Sequence, residues 1–212
     1  MYEESVDSLR TGLILSDQGK DVNVLAVTSA VSREGKTSLS SQLAVSIASA
    51  SGKPTLLIDG DMRSPDIHNV FEIDNDKGLA QVLAGDCELD EAIITNWSSH
   101  LHLLPAGPLK TSPHKLLGQG AFDKALSELR ETYSYIVIDT PPVLSASESL
   151  ILSKSADATL LCTMREVSRL DQVTAAHERL TASGAGPVGT VLNGVHPSRY
   201  AYHYGSYAYQ RS

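Results

Sequence analysis

One short stretch of this sequence carries the clearest chemistry. Residues 30–37 read Ala-Val-Ser-Arg-Glu-Gly-Lys-Thr and follow an apolar run at 24–27. A loop with this spacing between a buried strand and a helix points backbone N–H groups at an anion, which favours a polyphosphate. Lys36 is then predicted to reach the β- and γ-phosphates, and the Thr37 hydroxyl to ligate Mg²⁺. The simpler alternative is a strand-to-helix turn with an exposed lysine, since Ala30 replaces the usual Gly.

Carboxylates end two further apolar runs. Residues 54–59 read Pro-Thr-Leu-Leu-Ile-Asp and continue as Gly-Asp-Met-Arg, and residues 135–139 read Tyr-Ile-Val-Ile-Asp. Continuous apolar runs of this length are typical of strands buried on both faces of a parallel sheet. Because ligands collect at the carboxyl ends of such strands, we expect the acids to lie beside the phosphate loop.

These side chains cover the needs of phosphoryl transfer. Thr37 with Asp139 suits a hydrated Mg²⁺, which takes only one or two protein oxygens, and Asp61 could hold one of its waters. Asp59 is left as the base or orienting group. Arg63 is expected to pair with an acid or with a phosphate.

Composition and charge exclude several classes of protein. The 212 residues are 42% apolar and 20% charged, which is ordinary for a globular domain. The net charge of −8 has the wrong sign for non-specific binding to nucleic acid. Cys87 and Cys162 lie far apart without metal-ligand spacing, so we expect reduced thiols. No apolar run approaches 18 residues and no signal peptide is visible, so we expect a cytoplasmic domain.

The remaining pattern alternates strands with helices, which predicts one α/β domain over residues 1–198. Its parallel sheet should be covered by helices on both faces, as in P-loop nucleotide-binding proteins. The predicted helices span 2–16, 36–50, 78–84, 89–94, 114–131, 145–155 and 168–183, and the predicted strands span 24–29, 54–59, 101–104, 135–139, 158–163 and 188–193.

The last segment, 199–212, differs from the rest. It holds five of the eight tyrosines and only two alanines as aliphatic residues, so it is predicted to be a flexible tail without a core of its own. The five are Tyr200, Tyr202, Tyr204, Tyr207 and Tyr209.

Taken together, these motifs resemble the catalytic domain of bacterial tyrosine kinases of the exopolysaccharide-synthesis type, over residues 3–212. Residues 30–37 resemble the first Walker motif of that family, in which an opening Ala is permitted. Residues 56–63, Leu-Leu-Ile-Asp-Gly-Asp-Met-Arg, resemble its distinctive second motif, and residues 136–141 resemble its Walker B motif. The Asp-x-Asp-x-Arg element is the specific one.

The resemblance implies an ATP- and Mg²⁺-dependent protein-tyrosine autokinase. In that family's pattern Lys36 acts on the phosphates with Arg63 nearby, Asp59 is the base, and Thr37, Asp61 and Asp139 organise the metal. The nucleotide contacts implied are Ser32, Arg33, Glu34, Gly35, Lys36, Thr37, Ser38 and, at the strand end near the adenine, Asn193. The tyrosine-rich tail resembles the family's autophosphorylated cluster, phosphorylated in trans.

The same resemblance implies partners and a location. It implies other copies of the chain, a membrane-embedded activator region or subunit, and a tyrosine phosphatase that reverses the reaction. The expected location is the inner face of the cell membrane, where the kinase would regulate polysaccharide polymerisation and export. No nucleic acid is expected.

Three positions depart from the family pattern. The N-terminal helix usually carries Glu-x-x-Arg-x-x-Arg for ring assembly, whereas this chain has Asp7 between Glu4 and Arg10. A buried or partly buried Asp7 predicts weaker or different assembly. Glu148 stands where an Asp is usual, and Ser112-Pro113 replaces Asn-Pro; neither is expected to touch the phosphates.

Three other functions compete with the kinase. A positioning ATPase of the partition type would have a lysine early in the loop, where this chain has Val31. A GTPase would have Asp-x-x-Gly after the third motif and Asn-Lys-x-Asp for guanine, and the sequence has neither. A nucleotide-gated scaffold without catalysis would gain no phosphotyrosine from MgATP.

Overall fold

A computed structural model describes residues 2–15 and 22–195 of the chain. Its centre is a six-stranded parallel sheet with the order β3-β2-β4-β1-β5-β6. The strands are β1 Val24–Ser29, β2 Thr55–Asp59, β3 Leu101–Leu104, β4 Tyr135–Asp139, β5 Ala158–Met164 and β6 Pro187–Asn193.

Helices connect the strands and cover both faces of the sheet, which confirms the predicted fold class. They are α1 Tyr2–Leu15, α2 Lys36–Ser51, α3 Ile67–Phe71, α4 Leu79–Ala84, α5 Leu89–Ala92, α6 Pro113–Leu116, a 3₁₀ turn at Gly118–Gly120, α7 Ala121–Thr132, α8 Glu148–Ser155 and α9 Leu170–Ala182. No helix in the described part of the chain is long and apolar enough to cross a membrane.

Successive residues of the central strands fill two separate cores. Leu56 and Ile58 of β2 point to the face covered by α4 and α7, whereas Leu57 points to the face covered by α1 and α2. Every residue of β2 is buried. Burial on both faces explains why these strands read as unbroken apolar runs.

The register of the strands brings the predicted site residues together at the carboxyl ends of the strands. Asp59 of β2 is the direct partner of Asp139 of β4, and Asp139 is the partner of Val27, near the end of β1. The phosphate loop leaves β1 at this same edge. The predicted convergence of the three motifs is therefore a consequence of the pairing.

The structure corrects two of the predicted helices and adds a helix that was not predicted. The helix predicted over 114–131 is broken by the 3₁₀ turn, where Gly120 has the left-handed φ of 73° before α7 begins. The helix predicted from 145 begins at 148, because Pro142 first accepts N–H groups from 145 and 146 in a turn. The short helix α3 was not predicted. The tail 199–212 lies outside the described residues.

Helix α1 packs against α2 within the same chain. Val6 is buried among the residues of the α2 side of the core. The Asp7 carboxylate accepts a 2.5 Å hydrogen bond from the Ser46 hydroxyl of α2, and Arg10 donates to the Ser46 carbonyl at 3.0 Å. The side chain of Asp7 is 55% exposed in the single chain, and the predicted effect of this residue on assembly stays a prediction.

Candidate active site

Two residues of the phosphate loop have a left-handed backbone conformation. Arg33 has φ of 69° and Gly35 has φ of 82°, both in the left-handed region. A Cβ on Gly35 would lie 2.8 Å from the Asn193 amide nitrogen. Glycine therefore meets both the dihedral and the close approach of β6. Directly after it, Lys36 begins the 16-residue helix α2, whose N-terminus faces the loop.

Lys36 lies between the acids of the other two motifs. Its Nζ is 2.9 Å from Asp61 Oδ2, 3.5 Å from Asp139 Oδ2 and 3.3 Å from the Thr37 hydroxyl. Burial lowers the pKa of Lys36, but the charges of Asp139 and Asp61 outweigh it and leave the pKa raised. The lysine is thus a fixed cation held by carboxylates, ready to exchange them for phosphate oxygens.

Asp139 has one oxygen bonded and one without a partner. The Thr37 hydroxyl donates to its Oδ2 at 2.7 Å, whereas its buried Oδ1 has no hydrogen-bond partner among the described residues. Burial raises the pKa of this carboxyl to about 6, against the opposing effect of Lys36. An unpaired buried oxygen costs the fold free energy unless a ligand or water satisfies it.

This donor set fits Mg²⁺ better than a metal held by protein alone. The described residues contain no group of three His, Cys, Asp or Glu side chains that could hold a metal ion. Mg²⁺ needs fewer, because it keeps waters and takes substrate phosphates as ligands. Thr37, Asp61 and Asp139 are the residues that would hold it, and it would spread the negative charge of the phosphates.

Asp59 is fully buried and holds the segment after β2. Its Oδ1 accepts the N–H of Asp61 at 3.2 Å, and its Oδ2 accepts the N–H groups of Asp66 and Ile67, each at 3.1 Å. Burial and then the charge of Asp139 raise its pKa to about 7. The unpredicted helix α3 therefore begins on this carboxylate, whose Oδ1 accepts only one of the three hydrogen bonds.

Arg63 pairs with an acid. This is one of the two alternatives that the sequence predicted, the other being a phosphate. Its Nη2 lies 2.5 Å from Oε1 of Glu148, the first residue of α8. Burial raises the pKa of Glu148, but the hydrogen bond from Arg63 outweighs it and leaves the pKa lowered. The side chain of Arg63 is 53% exposed while that of Glu148 is 3% exposed. Glu148 thus holds a half-exposed guanidinium two residues after Asp61.

The other predicted nucleotide contacts fall into two groups. Ser32, Arg33 and Ser38 are exposed on the loop and on the first turn of α2. The Glu34 side chain is instead buried and bonded to the protein, and the Asn193 amide donates to the Glu34 carbonyl at 2.9 Å. The sequence motif alone does not distinguish these orientations.

A separate cavity of about 430 Å³ lies at the amino ends of the central strands, opposite the phosphate loop. It is lined by apolar side chains of α1, α2 and the first residues of the central strands, among them Leu13, Leu25, Leu43 and Val137. Because it opens at the amino ends of the strands, it is not part of the site formed by the phosphate loop.

This fold and this loop define a P-loop nucleotide-binding protein. Residues 22–177 match a family profile described as "AAA domain", which covers the sheet from β1 to α9. Nucleotide binding at the loop follows from this class of fold.

Similar curated proteins are tyrosine kinases. The chain is 32% identical to the putative tyrosine-protein kinase CapB of Staphylococcus aureus, over 95% of this chain and 90% of CapB. It is 30% identical to the tyrosine-protein kinase YwqD of Bacillus subtilis, over 98% of this chain and 86% of YwqD. The chain belongs to the bacterial tyrosine kinases, and it is an enzyme of that class.

Solved structures agree with the sequence relatives. The kinase domain of Escherichia coli tyrosine kinase ETK superposes with a TM-score of 0.86 and 30% identity, over 99% of this chain and 80% of that domain. The Pyrococcus furiosus cell-division ATPase MinD has a TM-score of 0.69 and 24% identity, over 80% and 71% of the two chains. The likeness to MinD shows the shared fold alone.

Proposed function

We propose that this chain is an ATP- and Mg²⁺-dependent autokinase that phosphorylates its own C-terminal tyrosines. The observation that carries the proposal is the contact of Lys36, from the phosphate loop, with Asp61 and Asp139 from the other two motifs. One cation and two acids at a loop that binds phosphates are the parts that phosphoryl transfer needs.

The residues have distinct roles in the transfer. The substrate phenol oxygen attacks the γ-phosphorus of ATP, the bond to the β,γ-bridging oxygen breaks, and ADP leaves. Lys36 exchanges Asp61 for phosphate oxygens and offsets their charge. Asp59 accepts or orients the phenol proton, since a pKa of about 7 lets it hold a proton near neutral pH.

Arg63 is proposed to act at the mouth of this site. Glu148 fixes one edge of the guanidinium, and the exposed half remains free to face an incoming anionic group. A guanidinium held in this way loses less side-chain entropy on binding than a free one. Contacts from Ser32, Arg33, Gly35, Ser38 and Asn193 to the nucleotide belong to the same proposal.

The substrate is proposed to be the tail of another copy, at Tyr200, Tyr202, Tyr204, Tyr207 and Tyr209. At roughly 3.3 Å per residue, neighbouring phenols of an extended segment lie within about 10 Å, so a short slide exchanges one for the next. Each phosphate adds about −1.5 to −2 charges to a chain already at −8. Phosphorylation would therefore repel the tail from the acidic site and limit itself.

The family resemblance supports a proposal for the biological setting. We propose that the kinase regulates exopolysaccharide polymerisation and export at the inner face of the cell membrane, with a membrane-embedded activator and a tyrosine phosphatase as partners. One similar solved structure is the chimerical protein CapA2B2, with a TM-score of 0.83 and 30% identity. The chain is 32% identical to the tyrosine-protein kinase etk of Escherichia coli over 91% of this chain, and it spans 26% of the length of etk.

A mixing experiment tests transfer in trans. An inactive Lys36→Met protein that keeps its tail is combined with an active protein truncated after Pro197, in MgATP. Phosphate on the tail of the inactive partner is the expected result. No transfer, together with concentration-independent labelling of the full-length protein, would show that each tail serves its own site.

A further inference from the structure

One acidic side chain of the phosphate loop is buried in the protein. Glu34 is 1% exposed, although its neighbours Ser32 and Arg33 are exposed. Its Oε2 accepts the N–H of Val31 at 2.8 Å, across the turn of the loop. Its Oε1 accepts a hydrogen bond from the Ser168 hydroxyl. Both oxygens are therefore used inside the protein.

Ser168 fixes the far side of this contact. Its Oγ accepts the N–H of Met164, the last residue of β5, at 2.7 Å, so the single hydroxyl proton goes to Glu34. The Glu34 backbone is tied as well, because its carbonyl accepts from the Asn193 side chain at 2.9 Å. The Asn193 carbonyl in turn accepts the N–H of Arg165 at 2.9 Å. One loop residue thus joins the phosphate loop to the ends of β5 and β6.

We infer that Glu34, through Ser168, is a positioning residue that holds the phosphate loop in its binding shape before nucleotide arrives. The loop needs such support because Arg33 has a left-handed φ of 69°, a conformation that is unfavourable for a residue with a side chain. A buried carboxylate that accepts an N–H across the turn opposes relaxation of that segment. The inference rests on the proposed binding of nucleotide at this loop.

The sign of the change in nucleotide affinity when Glu34 is removed distinguishes a positioning role from simple charge repulsion. A carboxylate near bound phosphates repels them, so its removal would strengthen nucleotide binding if charge were its only effect. If Glu34 instead holds the loop, its removal leaves the Val31 N–H and the Ser168 hydroxyl without a partner and weakens binding. The two accounts predict opposite signs.

The experiment measures the Kd of a fluorescent ADP analogue with Mg²⁺ for four proteins. They are the unaltered chain, Glu34→Ala, Ser168→Ala and the double variant, each held well below its unfolding temperature. Ser168→Ala removes one charge-assisted hydrogen bond to Glu34 and should raise Kd about tenfold, and Glu34→Ala, which also removes the bond from the Val31 N–H, should raise Kd at least as much. The double variant should bind about as weakly as Glu34→Ala, because Glu34→Ala has already removed the contact between Glu34 and Ser168.

Matched variants keep the test independent of folding. Ser127→Ala removes an exposed hydroxyl on α7 that bonds only within its own helix, and its Kd should not change. Ser168→Thr retains a hydroxyl and should restore most of the affinity that Ser168→Ala loses. If Glu34→Ala does not fold, the Kd of Ser168→Ala is compared with those of Ser168→Thr and Ser127→Ala. A Kd that rises only in Ser168→Ala supports the positioning role, and a Kd that does not rise there contradicts it.

Two results would overturn the inference. Tighter binding by Glu34→Ala would make the residue a repelling charge, and a double variant whose Kd is the product of both single effects would make the two residues independent. Failure of the unaltered chain to bind the analogue is a different outcome, because it would overturn the proposed nucleotide site itself.

Discussion

Asp59→Asn is predicted to stabilise the fold at neutral pH while it removes kinase activity. Asp59 is 0% exposed, and its environment raises its pKa from the ordinary 3.8 to about 7. At about 1.4 kcal/mol per pH unit, keeping the carboxylate ionised costs the folded state about 4 kcal/mol above pH 7. Asparagine has the same size and no charge, so this cost disappears.

The substitution also has a cost that can be read from the hydrogen bonds. The asparagine oxygen can keep the N–H groups of Asp66 and Ile67, but its amide nitrogen then faces the N–H of Asp61. Two donors facing each other cost about 2 kcal/mol. The net gain is about 2 kcal/mol, which for a domain of this size raises Tm by about 4–8 °C.

The raised pKa of Asp59 also predicts how the stability of the protein changes with pH. Because the folded pKa is raised, the folded chain keeps a proton that the unfolded chain loses between about pH 4 and pH 7. Stability of the unaltered protein therefore falls as pH rises through this window. The advantage of Asp59→Asn should be complete above pH 7, and near pH 4 the variant should be about 2 kcal/mol less stable than the unaltered chain, because only the cost of the facing donors remains.

Urea unfolding without nucleotide or metal, repeated from pH 4 to pH 8, measures this advantage. The only tryptophan, Trp97, reports it, because its ring packs edge-on against Phe71 of α3 at a centroid distance of 4.8 Å. Asp157→Asn is the matched control of opposite sign. Burial raises the pKa of Asp157, but Arg130 and two backbone N–H groups outweigh it and leave the pKa lowered. The free energy of unfolding of Asp157→Asn should be about 1 kcal/mol lower than that of the unaltered chain at pH 7, and the difference should be smaller at acid pH.

The reasoning about Asp59 is refuted if Asp59→Asn is no more stable than the unaltered chain at pH 8. It is also refuted if the difference between the two proteins does not change between pH 4 and pH 8. Either result would mean that the buried carboxylate is protonated, or fully compensated, over the whole range.

Three further predictions concern the loop, the metal and α1. Lys36→Met should abolish phosphotyrosine without unfolding the protein, and residual labelling by mass spectrometry above a few per cent would contradict its role. Removal of Mg²⁺ with EDTA should stop phosphorylation and weaken ADP binding about tenfold or more in a titration, because Asp139 and Asp61 then face the phosphates unscreened. Ser46→Ala should destabilise the protein by about 1 kcal/mol and speed hydrogen exchange in α1, whereas unchanged exchange there would show that Asp7 and Arg10 do not hold the helix.

The strands and the acids at their ends could be predicted because one physical cause produced both signals. Buried parallel strands are apolar throughout, and the apolar runs of β2 and β4 each stop at an aspartate where the strand ends. Asp59 and Asp139 were placed together by that argument, and the register confirms it.

Contacts between side chains from distant parts of the chain could not be predicted. Ser168 lies 134 positions after Glu34, and nothing in either neighbourhood indicates that they meet. Helix α3 has five residues, too few for a periodic pattern, and it depends on N–H acceptors supplied by Asp59. The break before α7 depends on Gly120, which a helical pattern of apolar residues does not reveal.

Mass spectrometry of the full chain after incubation with and without MgATP tests the central proposal most directly. The proposed autokinase predicts several phosphates that require MgATP, located on tyrosines of residues 200–209 and absent from Lys36→Met. A chain that binds and hydrolyses ATP yet gains no phosphotyrosine on itself, at any protein concentration, would contradict it.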